Sequence, residues 1–280
     1  MALLRLRERL RVMISCLRSS AVPGRLPRLT DVLLTAALLA LTARTAPAAT
    51  HQATVAVAAN FLPTAVLVAR EFERAHKGRV RLSSGSTGKL YAQIVNGAPY
   101  DVFLSADAER PRLLDEAGHG LAHSRFTYAQ GRLAVVAPSG VQIEPEQLLR
   151  GGMFRRLALA NPKLAPYGLA ARETLLALKL WDSTRQKRAM AENVGQVWAM
   201  FATGNVELAF VALAQLHAPN LPVVPAYWLV PAALYTPIRQ DVVQLAWSAD
   251  NYVATGFVEF LRSPAARALI GQAGYELPGG

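Results

Sequence analysis

Three short segments combine small residues with uncharged hydrogen-bond donors at points where a helix is expected to begin. They are 58–61 (AANF), 83–88 (SSGSTG) and 166–168 (PYG). The first turn of a helix leaves backbone N–H groups without intrahelical partners and carries partial positive charge, so it attracts anions without Lys or Arg. Taken singly, each segment is better explained by ordinary helix capping. Together they predict an anion-binding cleft, provided that the three helix starts face one another.

Two catalytic motifs overlap the second segment, and both are incomplete. The stretch 85–89 (GSTGK) is similar to the end of a phosphate-binding P-loop, but that motif requires glycine at Ser83 and Ser or Thr at Leu90. Ser86 and Lys89 match the S-x-x-K pattern, in which a lysine helps to activate a serine nucleophile. No K-T-G element follows in the chain. A serine acyl-enzyme built on Ser86 and Lys89 is therefore the less favoured alternative.

The histidines and carboxylates give weaker signals of chemistry. His119 and His123 stand four residues apart, as two metal ligands on one helix would, yet Gly118 and Gly120 beside them favour a loop. No pair of carboxylates and no Ser/His/Asp grouping occurs in a supportive context. The sequence therefore favours a binding protein over an enzyme and predicts no metal site formed by these side chains.

The elements that would position these segments alternate between short apolar runs and amphipathic stretches, which is the pattern of an α/β fold with mainly parallel strands. The predicted strands are 54–58, 79–82, 102–104, 133–137, 208–211 and 241–245. The predicted helices are 62–75, 90–95, 110–116, 169–178, 252–261 and 264–274. By contrast, 223–237 is rich in proline and aromatic residues and is predicted to be an irregular return connection. The sequence shows no evident internal repeat.

The first 48 residues differ from the rest of the chain. They hold eight arginines, two acidic residues, an apolar run at 32–43 and the small-x-small sequence APA at 46–48. This pattern predicts a secretory signal peptide at 1–48 that is cleaved after Ala48. The apolar run is shorter than the roughly 20 residues that a membrane-spanning helix needs. The long polar stretch before it leaves Met13 open as the true start.

The remaining chain has 22 basic and 17 acidic residues, so most of the formal net charge of +11 belongs to the predicted signal peptide. Its basic residues are scattered and lack interleaved aromatic residues, which argues against a nucleic-acid partner. The one cysteine, Cys16, lies in the predicted signal peptide and ahead of the apolar run. The exported chain would therefore have no disulfide and no thiolate metal site. These features predict a soluble periplasmic protein.

At the same segments, the sequence resembles the periplasmic molybdate-binding proteins of ABC transporters, the ModA family. The resemblance runs through VAVAANF, SSGSTGKLYAQIVNGAPYDVFLSAD, SRFTYAQGRLAVVAP, NPKLAPYGLAA, ENVGQVWAMFATGNVELAFVALAQL and YTPIRQD. It implies an α/β type II periplasmic-binding-protein fold, with two α/β lobes and a ligand cleft between them. Lobe 1 would comprise 49–131 and 239–280, and lobe 2 would comprise 132–238.

The resemblance also implies which residues hold the ligand. Asn60 would donate through its side-chain amide and its backbone N–H group. Thr87 would donate through its hydroxyl and its backbone N–H group. Tyr167 and Val194 would each donate through a backbone N–H group.

Two positions depart from the family pattern. Thr87 stands where relatives often have serine, which keeps the hydroxyl and adds a methyl group. Ser86 is the alternative hydroxyl donor if the alignment is shifted by one residue. Ala59 could add a backbone donor, but it lacks the side-chain hydroxyl of relatives that have threonine there. Fine selectivity among oxyanions therefore stays open at the level of sequence.

The ligand that the resemblance implies is molybdate or tungstate, which the protein would deliver to an ABC transporter membrane permease with its ATPase. No cofactor is implied, and the receptor is expected to be a monomer. Uncharged donors suit a fully deprotonated oxyanion, because a protonated phosphate would need an acceptor for its O–H group. A receptor for sulfate or another tetrahedral oxyanion is the alternative, and cavity size would have to separate the two.

Overall fold

The computed structural model describes residues 51–140, 142–218, 221 and 224–279. The chain divides into two units, Met1–Ala49 and Thr50–Gly280. The predicted signal peptide at 1–48 lies outside the described residues, and every element below belongs to the second unit. None of the described helices is long and apolar enough to span a membrane.

The first sheet contains β1 (Gln52–Ala58), β2 (Arg79–Gly85), β3 (Val102–Leu104), β4 (Phe126–Gly131) and β10 (Ile238–Gln244), in the order β2-β1-β3-β10-β4. β1 pairs in parallel with β2 and β3, while β10 runs antiparallel to β3 and β4. The interior strand β1 is buried from Val55 to Ala58, as expected for a strand covered on both faces. This sheet and its helices are lobe 1.

The second sheet contains β5 (Leu133–Ala137), β6 (Leu157–Ala160), β7 (Arg188–Ala191), β8 (Leu208–Ala212) and β9 (Ala226–Leu229), in the order β7-β6-β8-β5-β9. β6 pairs in parallel with β7 and β8, while β5 runs antiparallel to β8 and β9. In both sheets, the first three strands of this order are parallel to one another. The fourth strand is antiparallel to the third, and the fifth is antiparallel to the fourth. This sheet and its helices are lobe 2, and the shared order is a structural repeat that the sequence did not reveal.

Two neighbouring connections carry the chain between the sheets. β4 ends at Gly131 and β5 begins at Leu133, so Arg132 alone links the first sheet to the second. The chain returns in β10, whose first residue, Ile238, pairs with Gly131. Because both connections lie side by side, the lobes are joined at one end and a cleft can form between them. The predicted α/β fold with two lobes is confirmed.

Helices cover both sheets. The lobe 1 helices are α1 (Leu62–Ala75), α2 (Thr87–Val95), α3 (Glu109–Glu116), α8 (Tyr252–Phe260) and α9 (Pro264–Gln272). The lobe 2 helices are α4 (Pro145–Gly151), α5 (Pro166–Ala177), α6 (Val194–Ala202) and α7 (Leu213–Leu216). In lobe 1, the ring of Phe72 in α1 contacts those of Phe257 and Phe260 in α8, with centroids 5.5 and 5.6 Å apart. This apolar core holds the strand ends that lead into the cleft.

Two helices begin earlier than the sequence predicted. α2 begins at Thr87 instead of Leu90, because Ser86 already supplies the extended residue that precedes a helix. α5 begins at Pro166 instead of Leu169, because proline is favoured in the first turn. Both shifts bring the first helical turn into the segments that the sequence marked as candidate anion sites.

The prediction of an irregular connection over 223–237 is wrong in part. Residues 226–229 form β9, and Ala232–Leu234 form a 3-10 turn. β9 is an edge strand that pairs with β5 alone, and its residues alternate between half-buried and exposed. A strand of this kind depends on a partner distant in the chain, because strand propensity is set largely by the tertiary environment.

Candidate functional site

A small pocket lies between the two lobes. It is bordered by the segments that lead into α1 and α2 from lobe 1 and into α5 and α6 from lobe 2. The described residues that line it carry no charge; they are Ala58, Ala59, Asn60, Gly85, Ser86, Thr87, Ala106, Ala165, Pro166, Tyr167, Asn193 and Val194. The structure therefore brings all six predicted site residues to one pocket.

The start of α2 presents two buried hydroxyl groups. Ser86 precedes the helix with extended backbone angles, and its Oγ is buried without a hydrogen-bond partner among the described residues. Thr87 Oγ1 accepts a hydrogen bond of 3.1 Å from the backbone N–H of Ala106. Because that bond uses a lone pair of Thr87, the proton of its hydroxyl stays available. Both side chains can therefore donate to a group in the pocket.

Backbone N–H groups supply further donors. Among the described residues, no acceptor pairs with the N–H groups of Asn60, Thr87, Tyr167 or Val194. Three of these groups lie in the first turn of α2, α5 and α6, where a helix offers no acceptor of its own. Ala59 differs, because its N–H donates to the carbonyl of Gly85 at 3.0 Å. The donor that the resemblance suggested for Ala59 is thus already used inside lobe 1.

The side-chain amide of Asn60 is not free to donate to a ligand, in contrast to the role that the resemblance implied. Its Nδ2 donates to Gln240 Oε1 at 3.0 Å and to the Tyr275 hydroxyl at 3.2 Å. The Tyr275 hydroxyl in turn donates to the Asn60 carbonyl at 2.9 Å. Both hydrogens of the amide are therefore used within the protein, and the backbone N–H is the donor that Asn60 leaves free.

Tyr167 reaches the same network from lobe 2. Its hydroxyl accepts a hydrogen bond of 3.4 Å from Gln240 Nε2. Its ring lies against Gly131, where an added Cβ atom would collide with the Tyr167 hydroxyl. Burial raises the pKa of each of three hydroxyls, those of Tyr128, Tyr167 and Tyr275, above the usual tyrosine value, so all three stay neutral.

The start of α6 is held by side chains that cap it. Asn193 Oδ1 accepts a hydrogen bond of 3.1 Å from the N–H of Gln196, and Gln215 Nε2 donates to the Val194 carbonyl at 3.2 Å. Gln215 Oε1 accepts from the N–H of Ala212 at 2.9 Å. These bonds fix the turn and leave the Val194 N–H facing the pocket. Asn193 could have been found in the sequence as an N-cap residue.

Known proteins match most of this chain. Residues 53–276 match the family described as bacterial extracellular solute-binding protein. The molybdate-binding protein ModA of Azotobacter vinelandii is 41% identical over 247 residues, which are 88% of this chain and 96% of that protein. This chain belongs to the ModA family.

Two further comparisons support the family. The molybdate-binding protein ModA of Rhodobacter capsulatus is 35% identical to this ModA-family chain over 229 residues, which are 82% of this chain and 90% of that protein. The solved structure of the periplasmic molybdate-binding protein of Azotobacter vinelandii superposes with a TM-score of 0.77 at 40% identity, over 81% of this chain and 99% of that chain. The type II periplasmic-binding-protein fold follows.

Contacts between the lobes close the cleft in this ModA-family chain. The N–H of Gly88 in α2 donates to the carbonyl of Leu164, just before α5, at 2.8 Å. Lys89 Nζ lies 3.1 Å from Glu192 Oε2, so the lysine of the S-x-x-K pattern forms an ion pair across the cleft. Ser86 Oγ has no partner among the described residues. The alternative in which Lys89 activates Ser86 therefore gains no support from the geometry.

The histidine pair also lies where the sequence placed it. His119 and His123 are in the loop between α3 and β4, and His123 has a positive φ of 64°. The ring of His119 contacts that of Trp247, with centroids 6.1 Å apart. Among the described residues, no group of three or more His, Cys, Asp or Glu side chains could hold a metal ion. The loop prediction is confirmed.

Proposed function

We propose that this chain captures molybdate or tungstate as a bare dianion and delivers it to the membrane permease of an ABC transporter, which works with its ATPase. The observation that carries the proposal is the buried Ser86 hydroxyl, which lacks a partner in a pocket bordered by helix starts from both lobes. A buried polar atom without a partner is uncommon in a folded protein. A ligand oxygen would satisfy it.

The chemistry of the pocket supports an oxyanion. A dianion leaving water must regain its lost hydration, and each hydrogen bond to a charged group contributes roughly 1.5–3 kcal/mol. The proposed donors are the hydroxyls of Ser86 and Thr87 and the backbone N–H groups of Asn60, Thr87, Tyr167 and Val194. The positive ends of the helices add to the attraction without any charged side chain.

The relatives support molybdate over other oxyanions. Two proteins that are more than a third identical to this chain are named molybdate-binding protein ModA. Uncharged donors also disfavour protonated phosphate, whose O–H group would face other donors. A sulfate receptor is the alternative, since sulfate is likewise a bare acceptor.

Titration calorimetry with molybdate, tungstate, sulfate and phosphate separates these functions. We expect molybdate and tungstate to bind at least about a hundredfold more tightly than sulfate, and phosphate to show no heat of binding. Sulfate binding that equals molybdate binding would favour the alternative receptor. Absence of binding by all four anions would contradict the proposal as a whole.

Two further parts of the proposal concern export and lobe organisation. We propose that 1–48 is a signal peptide, that the mature chain works as a periplasmic monomer, and that it is a receptor without catalytic activity. Lobe 1 would comprise 49–131 and 239–280 and lobe 2 would comprise 132–238, a division supported by the strands of each sheet except for Ile238, the first residue of β10. The mass of the protein recovered from the periplasm would test cleavage after Ala48.

A further inference from the structure

Gln240 lies in β10 and is completely buried. It is not among the described residues that line the pocket. Its side-chain amide nevertheless contacts Asn60 from lobe 1 and Tyr167 from lobe 2, and each of these two residues contributes a proposed donor. The side chain of Gln240 thus connects two residues, one from each lobe, that each carry a proposed donor to the ligand.

On the lobe 1 side, Gln240 acts as an acceptor. Its Oε1 accepts from Asn60 Nδ2 at 3.0 Å and lies 3.0 Å from the Tyr128 hydroxyl. Asn60 is also held by Tyr275, which accepts from its side chain and donates to its carbonyl. The peptide of Asn60 is therefore restrained through both its side chain and its main chain, and the restraint includes Gln240.

On the lobe 2 side, Gln240 acts as a donor. Its Nε2 donates to the Tyr167 hydroxyl at 3.4 Å. That hydroxyl lies against the α-carbon of Gly131, at the end of the strand that leads into lobe 2, where any larger residue would collide with it. The Tyr167 side chain thus contacts β4 and β10, the two strands that join the lobes, while its backbone N–H faces the pocket.

We propose that Gln240 is a positioning residue, which fixes Asn60 and Tyr167 so that their backbone N–H groups converge on the same oxyanion when the cleft is closed. This inference rests on the proposed function. A neutral amide can accept from the Asn60 amide and donate to the Tyr167 hydroxyl at the same time. A carboxylate would bring negative charge near the ligand, and an apolar side chain would leave both partners unsatisfied.

The test compares two buried glutamines of the same strand. Gln240→Met removes the bridge while keeping the volume of the side chain. Gln244→Met is the matched control, because Gln244 is equally buried but donates to the Ser248 carbonyl at 2.9 Å and the Thr255 hydroxyl at 3.1 Å, both in lobe 1 and away from the pocket. Molybdate affinity is measured by calorimetry, and stability by urea unfolding.

We expect Gln240→Met to bind molybdate about tenfold more weakly, the effect of one lost hydrogen bond near the ligand donors. Gln244→Met is expected to stay within about twofold of the unmodified protein, even where the two variants lose similar stability. Equal affinities in both variants would overturn the inference, because burial alone would then explain the role of Gln240.

A second variant covers the case in which Gln240→Met does not fold. Tyr167→Phe keeps the backbone donor and removes only the hydroxyl that Gln240 holds, and we expect about threefold weaker binding. Where Gln240→Met does fold, the two losses should not multiply in the double variant, because both break the same bridge. Multiplying losses, or an unchanged affinity in Tyr167→Phe, would contradict the proposal.

The failure of this inference can be told apart from the failure of the proposed function. If the unmodified protein binds neither molybdate nor tungstate, the proposed function is wrong, and the inference falls with it. If the unmodified protein binds molybdate and Gln240→Met binds it equally well, only the positioning role is wrong.

Discussion

The backbone N–H of Gly88 and the carbonyl of Leu164 are joined by a hydrogen bond of 2.8 Å that crosses the cleft. Gly88 lies in the first turn of α2 in lobe 1, and Leu164 precedes α5 in lobe 2. A Cβ atom at Gly88 would lie 3.1 Å from the Leu164 carbonyl oxygen and 3.2 Å from its α-carbon. A side chain at this position would therefore crowd the contact between the two lobes.

Gly88→Ala should weaken ligand binding about three- to tenfold, because the added methyl group crowds the closed form and overpacking costs about 1 kcal/mol or more. The loss should lie mainly in a faster dissociation rate, measured by stopped-flow fluorescence. Gly256→Ala is the control, since a Cβ there meets Phe72 at an ordinary 3.5 Å. If both variants release ligand at the same rate, the crossing at Gly88 does not stabilise closure.

Replacement of Ser86 and Thr87 separates the two hydroxyls. Ser86→Ala should weaken molybdate binding about tenfold or more, since a hydrogen bond to a charged group is lost. Its free energy of unfolding without ligand should not fall, because Ser86 Oγ has no protein partner among the described residues. Calorimetry and urea unfolding measure the two quantities.

Thr87→Val should lower both the affinity and the stability. It leaves the buried N–H of Ala106 without its acceptor, which costs about 1–3 kcal/mol of unfolding free energy. A Ser86→Ala variant that unfolds more easily while binding molybdate normally would reverse the roles assigned to these hydroxyls.

Asn60→Asp should abolish tight binding, with an affinity loss of about a hundredfold or more. The carboxylate would face Gln240 Oε1 in place of a donor and would bring a buried negative charge close to the dianion, and such like-charge placement costs several kcal/mol. Asn205→Asp, an exposed position in lobe 2, provides a control for the added charge. Affinity near that of the unmodified protein in Asn60→Asp would contradict the placement of the ligand.

The buried tyrosines predict a loss of stability at high pH. Burial raises the pKa of Tyr128, Tyr167 and Tyr275 above the ordinary value of 10.0. Below about pH 9 these groups are protonated in both states and contribute no slope. Above about pH 10 the unfolded chain releases their protons and the folded chain does not, so the free energy of unfolding falls as pH rises.

Each of the three tyrosines accounts for one proton, so the free energy of unfolding should fall by up to about 4 kcal/mol per pH unit. Urea unfolding between pH 8 and 11.5 would measure it. Tyr275→Phe should make this fall about a third less steep. The difference between the two proteins isolates Tyr275, because other groups that titrate in this pH range contribute equally to both. An unchanged slope in this variant would show that Tyr275 ionises freely in the folded protein.

The sequence determined the features that depend on neighbouring residues. The apolar period predicted α1, β3 and β5 with their observed bounds, and caps and small residues marked three of the four helix starts that border the pocket. First-turn N–H groups are free wherever a helix begins, so the segments that hold Thr87 and Tyr167 could be marked as candidate anion sites without knowledge of their surroundings. The family resemblance added Val194, whose local sequence alone had not drawn attention.

Only the tertiary structure decided the features that depend on residues distant in the chain. Asn60 and Gln240 are separated by 180 residues, and β10 brings them together to turn the Asn60 side chain inward. β9 likewise exists because β5 offers it a partner. The physical reason is the same in both cases: a buried amide or an edge strand is satisfied by whichever group the fold places beside it, and local sequence does not specify that group.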